Sequence, residues 1–174
     1  MADRILYLDA DLTLFHKKLL RPEQVALDDP SVFFDLFGYV QVKARPGAQA
    51  FIDHFRGMGV TVYCVTGGGT DSQTEALRCA GLSVDRLFGS CRGGVELPPP
   101  PAHWVLVDDS PLKDAMLFDK IARILGKLNL EPNDAELERA LAEHFVQCEM
   151  FFDFCECKPL SELIPIIMTK LELA

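Results

Sequence analysis

The sequence predicts an α/β fold, a central, mostly parallel sheet with helices on both faces, and three observations carry that expectation. Apolar runs alternate with segments whose apolar residues recur at helical spacing, the order expected when helices cover a parallel sheet. Three runs read as buried strands: Ile5-Leu6-Tyr7-Leu8, Val60-Thr61-Val62-Tyr63-Cys64-Val65 and Trp104-Val105-Leu106-Val107. Each gives way to a polar loop: Asp9-Ala10-Asp11-Leu12-Thr13, Thr66-Gly67-Gly68-Gly69 and Asp108-Asp109-Ser110-Pro111. In an open sheet the carboxyl ends of parallel strands share one crevice, so Asp9, Asp11, Thr66, Asp108 and Asp109 are expected to converge there.

Taken in order, the first strand covers about Arg4 to Leu8. Residues 14–44 follow, with the aromatics Phe15, Phe33, Phe34, Phe37 and Tyr39 and turn signals at Pro22 and Asp29-Pro30. They are too few for an independent domain and are expected to form a flap beside the crevice, the alternative being an apolar excursion packed on the sheet. Pro46-Gly47 introduces a helix with Ala50, Phe51, Phe55 and Met58 on its apolar face. After the second strand a helix is expected from about Asp71 to Cys79, with a stop at Gly81. Pro98–Pro101 reads as an extended connector. Asp114 reads as an acid at a helix N-terminus. Asn133 and Asp134 offer caps for a helix that would use Ala135, Leu137, Leu141, Phe145 and Cys148 for packing. A last helix runs from Leu160 toward Leu171 and either kinks or properly begins at Pro165.

With 174 residues, 49% of them hydrophobic, the chain is expected to be one globular unit, residues 125–174 forming a helical extension. The 17 basic and 26 acidic residues leave a net charge of -9, which opposes broad capture of nucleic acid or an anionic membrane. No export signal opens the sequence and no apolar stretch reaches the roughly 18 residues of a membrane span, so a soluble, cytoplasmic location is expected. The six cysteines are irregularly spaced and read as free thiols. His144, Cys148, Cys155 and Cys157 are a weaker alternative as zinc ligands, because their spacing matches no compact zinc motif. His16, His54 and His103 read as surface or packing residues.

Carboxylates crowded into one crevice repel one another unless a cation sits among them. Magnesium suits such a site, since it takes hard oxygen ligands from one or two carboxylates and a substrate phosphate. The candidate metal ligands are Asp9, Asp11 through its backbone carbonyl, Asp108 and Asp109. Asp9 is then placed to attack phosphorus, and Asp11 to protonate the leaving oxygen and later deprotonate water. Thr13, Thr66, Gly67 and Gly68 are the candidates for holding phosphoryl oxygens, in front of a helix start that favours an anion.

These residues carry a resemblance. Tyr7-Leu8-Asp9-Ala10-Asp11-Leu12-Thr13-Leu14, Val65-Thr66 and Val105-Leu106-Val107-Asp108-Asp109-Ser110-Pro111 together resemble the first, second and fourth motifs of the haloacid dehalogenase (HAD)-like phosphohydrolases. The resemblance spans about residues 4–118 and implies a Rossmann-like fold with only a small flap or cap. Within the superfamily the chain is most similar to the small-cap branch of RNA polymerase II C-terminal-domain phosphatases and NLI-interacting-factor-like proteins. Lys43-Ala44-Arg45-Pro46-Gly47, leading into Phe51-Ile52, resembles that branch's helix entry, Asp108-Asp109-Ser110-Pro111 its acidic signature, and Leu160–Pro165 its closing helix. The family supplies a lysine beside the nucleophile, yet no lysine lies between Thr66 and Asp108. Arg92 is therefore expected to replace it, with Lys113, just beyond the acidic pair, as the alternative. Arg86, or a site without this element, is left as the remainder.

The leading expectation is a magnesium-dependent phosphomonoester hydrolase acting on a phosphorylated small molecule or a phosphopeptide, including phosphoserine or phosphothreonine in protein. A non-catalytic or weakly catalytic phosphate-binding module is the competing class, motivated by the missing lysine.

Overall fold

The computed structural model describes residues 4–89, 96–127, 130–153 and 155–173. The central sheet has five strands: β1 (Arg4–Leu8), β5 (Thr61–Val65), β6 (Arg86–Phe88), β7 (His103–Asp108) and β8 (Phe145–Gln147). Their order is β6-β5-β1-β7-β8 and every pairing is parallel. The sequence reading anticipated the three long central strands. The edge strands β6 and β8, at three residues each, are too short to show a hydrophobic period.

The three helices α1 (Ala48–Gly57), α2 (Thr70–Cys79) and α5 (Ile164–Lys170) contribute to one core layer. That layer contains Leu6 and Leu8 of β1, Val105 and Val107 of β7, and Phe51, Phe55, Ala76 and Ile167 from the helices. On the other face lie α3 (Ala115–Ile124) and α4 (Ala135–His144), with Leu117, Ile121, Leu137 and Ala140 packed on Ile5, Tyr7, Trp104 and Leu106. Alternate residues of a strand point to opposite faces, and both central strands obey this without interruption. Burying a side chain of this size is worth about 1.5–3 kcal/mol, so a one-residue slip of either strand would forfeit several such contributions at once.

Residues 15–44 fold into a separate antiparallel sheet of β2 (Phe15–Leu19), β3 (Val32–Asp35) and β4 (Gly38–Ala44), in the order β2-β4-β3. Phe15, Phe33, Val40 and Val42 on its inner face join the first core layer. One helix expectation is corrected, and of the two readings of the last helix the start at Pro165 holds. The helix after Asp134 ends at His144, and Phe145, read as helical, opens β8, where its backbone pairs with Leu106. The last helix is preceded by a 3-10 turn over Leu160–Leu163, and α5 starts with Pro165 in its first turn, where a missing N–H costs nothing. Among the described residues no helix is long and apolar enough to cross a membrane.

Candidate active site

Strand parity decides where the carboxylates point. Asp9 follows β1 and shares its side with Tyr7; Asp108 ends β7 and shares its side with Leu106, so both face the layer that holds α3. There Lys120 Nζ donates to Asp9 Oδ1 and to Asp108 Oδ2, each at 2.6 Å. The second Asp108 oxygen, Oδ1, accepts the Ser110 amide at 2.8 Å. Asp109, one residue on, turns to the opposite side, where Thr13 Oγ1 donates to its Oδ1 at 2.9 Å and the Asp109 amide returns a bond to that hydroxyl at 3.2 Å.

Asp9, Asp108 and Asp109 are 4%, 0% and 8% exposed, and their nearest ligating oxygens lie within 4.8 Å of one another. Burial raises the Asp9 carboxyl to about 8; Lys120 opposes the rise while Asp108 and Asp109 add to it. Asp109 is also raised, by burial first and by Asp108, with its Thr13 bond working the other way. Burial by itself would lower the Lys120 ammonium, but the two carboxylates it touches outweigh that and hold it above its ordinary range. One ammonium among three carboxylates leaves an excess of two negative charges when all are ionised. Hard oxygen donors around that excess fit a magnesium ion, with Asp9 and Asp109 the best placed because both Asp108 oxygens already accept bonds.

The loop between β1 and β2 is held by contacts from distant segments. Leu12 has φ of 63°, an uncommon left-handed conformation for a residue with a side chain, and its carbonyl accepts the Phe151 amide at 2.6 Å. Arg45 is buried and donates to the carbonyls of Thr13, Glu149 and Lys158, tying this loop to residues 149–158. Asp11 is half-buried; its Oδ1 lies 3.0 Å from Lys17 Nζ of β2, and its Oδ2 accepts a short bond from Gln73 Nε2 of α2.

Thr66 is buried at the end of β5, and its Oγ1 accepts the Gly68 amide at 3.1 Å. With that lone pair engaged, the Thr66 hydroxyl proton remains available to a ligand. Arg123 of α3 braces the turn through the carbonyls of Thr66, at 3.3 Å, and Gly89, at 2.8 Å. A Cβ at 67 would meet only the mobile end of the exposed Met116, 2.7 Å away, whereas at 68 it would overlap the buried Gln73 amide.

The structure thus brings Asp9, Asp108 and Asp109 together and redirects other expectations. Thr13, read as a phosphate ligand, is fully buried and engaged with Asp109, with Cys148 Sγ 3.7 Å away. The Gly68 amide is engaged with Thr66 rather than turned to a phosphate. Lys120 supplies a cation beside Asp9; Arg92, the residue expected to do so, lies outside the described residues. Lys113 is exposed on the turn before α3, and Arg86 is exposed with its guanidinium 5.0 Å from the Phe88 ring centroid. Asp114 is the N-cap of α3, its carboxylate accepting the Met116 amide at 2.7 Å. His144 stacks on Trp104 and bonds its carbonyl, while Cys148 lies against Thr13, so these two expected zinc ligands are drawn to different neighbours. Among the described residues the only gathered set of His, Cys, Asp or Glu ligands is Asp9, Asp108 and Asp109.

Lys120, Gln73 and Lys17 were not anticipated. Lys120 lies 12 positions after Asp108, within the apolar stripe Leu117, Ile121 and Ile124. A lysine inside such a stripe is the signal that would have found it, since a buried ammonium needs anionic partners.

No family model matches the chain, and no curated protein matches it. Among solved structures it is similar to the HAD domain of the effector protein Lem4 from Legionella pneumophila, with a TM-score of 0.55 at 12% identity over 98% of this chain and 96% of that one. An inactive mutant of the same domain gives a TM-score of 0.54 at 12% identity, over 99% and 96% of the two chains. At this identity the likeness establishes the fold: an α/β HAD fold with a mostly parallel central sheet, extending over nearly the whole chain.

Proposed function

We propose that this chain is a magnesium-dependent phosphomonoester hydrolase that works through a phosphoryl group carried on Asp9. The observation that supports the reading most is the buried set of Asp9, Asp108 and Asp109 at adjacent strand ends, bridged by Lys120. A structural core gains little from so many buried charges, whereas a carboxylate nucleophile facing a phosphate needs compensating cations at that place. Lys120 supplies a cation beside Asp9, which supports the catalytic reading over a non-catalytic phosphate-binding module.

Asp9, Asp109 and the Asp11 backbone carbonyl would hold magnesium, which when bound screens the carboxylate from the phosphate oxyanion. An Asp9 oxygen attacks phosphorus, and the bond from phosphorus to the leaving oxygen breaks as Asp11 passes that oxygen a proton. Asp11 then takes a proton from water, whose oxygen attacks phosphorus and releases phosphate and free Asp9. Lys120 favours the ionised form of Asp9 against the effect of burial and orients that carboxylate through both steps. The Thr66 hydroxyl, oriented by Gly68, and the Gly67 backbone bind phosphoryl oxygens. Thr13 fixes the rotamer of Asp109.

The substrate class follows from the small-cap resemblance, which favours phosphoserine or phosphothreonine in protein; a small phosphorylated metabolite is the alternative. The five cysteines among the described residues are free thiols, in keeping with a reducing cytoplasmic setting. Release of 4-nitrophenolate from 4-nitrophenyl phosphate, with magnesium and with EDTA, tests the reaction class. Turnover that survives Asp9→Asn or persists in EDTA would reject the proposal.

A further inference from the structure

Both carboxylate oxygens of Asp11 are held by side chains from other elements. Lys17 reaches Oδ1 from β2 of the small sheet, and Gln73 reaches Oδ2 from the first turns of α2. The Gln73 amide orientation is settled by chemistry, because only its NH2 group, and not its carbonyl, is compatible with a carboxylate oxygen. That choice leaves Gln73 Oε1 buried without a hydrogen-bond partner, in a residue only 1% exposed. A buried carbonyl without a donor is unfavourable, and a residue needed only for packing would be better served by a leucine or methionine at that position. Room for the amide comes from Gly68, where any Cβ would overlap it. A second tie joins the same elements: Ser72 Oγ of α2 donates to Asp35 Oδ2 of β3 at 2.8 Å.

We infer that Gln73 and Lys17 are positioning residues that orient Asp11 for proton transfer, with Gly68 as the space that admits Gln73. The inference rests on the phosphatase reading for its kinetic consequence, but the geometry of the clamp is a separate matter. The small sheet thereby acquires a task in the reaction: it delivers the ammonium that holds one side of the acid–base group, while α2 delivers the amide that holds the other.

The test compares wild type with Gln73→Leu, Lys17→Met, Lys17→Arg, Gly68→Ala and the double variant Gly68→Ala/Gln73→Leu. In single turnovers, Gln73→Leu should slow cleavage of a simple alkyl phosphate by at least about tenfold, because its leaving oxygen needs a well-aimed proton. Release of 4-nitrophenolate, which leaves without a proton, should change by less than about threefold, and KM for both esters by less than about twofold. Lys17→Arg should recover most of what Lys17→Met loses on the alkyl ester. The double variant should be no slower than Gly68→Ala, since both changes remove the same contact. Equal losses on the two esters, or additive losses in the double variant, would overturn the inference. Crystal structures of Gln73→Leu and Lys17→Met provide a readout free of turnover: the Asp11 carboxylate should leave its place, and an unmoved carboxylate in both overturns the clamp even in an inactive protein. Wild-type protein without turnover on either ester would count against the phosphatase reading alone.

Discussion

The two sheets of this molecule treat charge and apolar surface in opposite ways. The five-stranded sheet buries ionisable groups, Asp9, Asp108, Asp109 and Lys120, at its carboxyl edge. The three-stranded sheet and its loops expose Leu19, Leu27, Phe34, Leu36 and Phe37 to solvent. Buried charge survives only where geometry supplies partners, so its presence is costly and specific. Exposed apolar side chains cost less and need no unique arrangement. The difference teaches that the parallel sheet is organised around its strand ends, while the small sheet is anchored by one face and otherwise left open, with Lys17 as a side-chain link to the acidic crevice.

The sharpest way to break this contrast is to remove the proposed nucleophile. Asp9→Asn is expected to reduce turnover of 4-nitrophenyl phosphate by more than about 10⁴-fold, in the range seen when other covalent nucleophiles are removed. An effect under tenfold would shift the chemistry away from the strand ends.

Lys120→Met comes next. The side chain keeps its length and its place in the Leu117, Ile121 and Ile124 stripe, but two buried carboxylates lose their cation. Urea denaturation should show a loss of about 3–5 kcal/mol, the usual consequence of breaking a buried ion pair from one side. Turnover should fall by about 10²–10³-fold, the scale of removing one electrostatic stabiliser. Stability equal to wild type would mean that the carboxylates are neutralised by some other route.

A third prediction concerns pH. In the folded, metal-free protein Asp9 keeps its proton up to about 8, whereas in the unfolded chain it ionises near its ordinary value of 3.8. The folded state therefore binds more protons across that interval, and this contribution to stability is present at low pH and lost as pH rises toward 8. Magnesium competes with that proton. At about 100 times its Kd it should add about 2.7 kcal/mol, or about 5–10 °C in Tm for a chain of this size, at pH 8.5. The gain at pH 5.5 should be clearly smaller. Differential scanning calorimetry with magnesium or EDTA at the two pH values measures both, and a larger gain at pH 5.5 would contradict the assignment.

The smallest effects are expected at the turn between β3 and β4, on the outer, exposed side of the small sheet. Leu36→Ser and Phe37→Ser should each change stability by no more than about 0.5 kcal/mol, whereas Phe33→Ala, on its buried inner face, should cost about 3–5 kcal/mol by urea titration. Comparable losses at all three positions would show that the outer side is packed after all.

Much of the site was legible before any coordinates, because its signals are local. Asp9-Ala10-Asp11, Thr66 and Asp108-Asp109 each sit directly after an apolar strand, so neighbouring residues sufficed to place them. Thr13 was misread for the opposite reason: nothing nearby reveals that its hydroxyl pairs with Asp109, a partner 96 positions away. The β8 strand was read as helix because three residues hold no period, and what makes them a strand is pairing with β7. Gln73 carries no local signal, because its partner Asp11 lies 62 positions away and is met only through the packing of α2.

The sequence by itself determined the α/β class, the three central strands and that Asp9, Asp108 and Asp109 would meet, though it also expected Asp11 among them, since strand periodicity and strand-end position are properties of short contiguous segments. Only the tertiary structure decided which cation completes the set. That choice depends on the face on which α3 packs and on strand parity, which turns Asp9 and Asp108 toward that face and Asp109 away from it. A lysine within an apolar stripe becomes the partner of two carboxylates once packing has excluded water from all three.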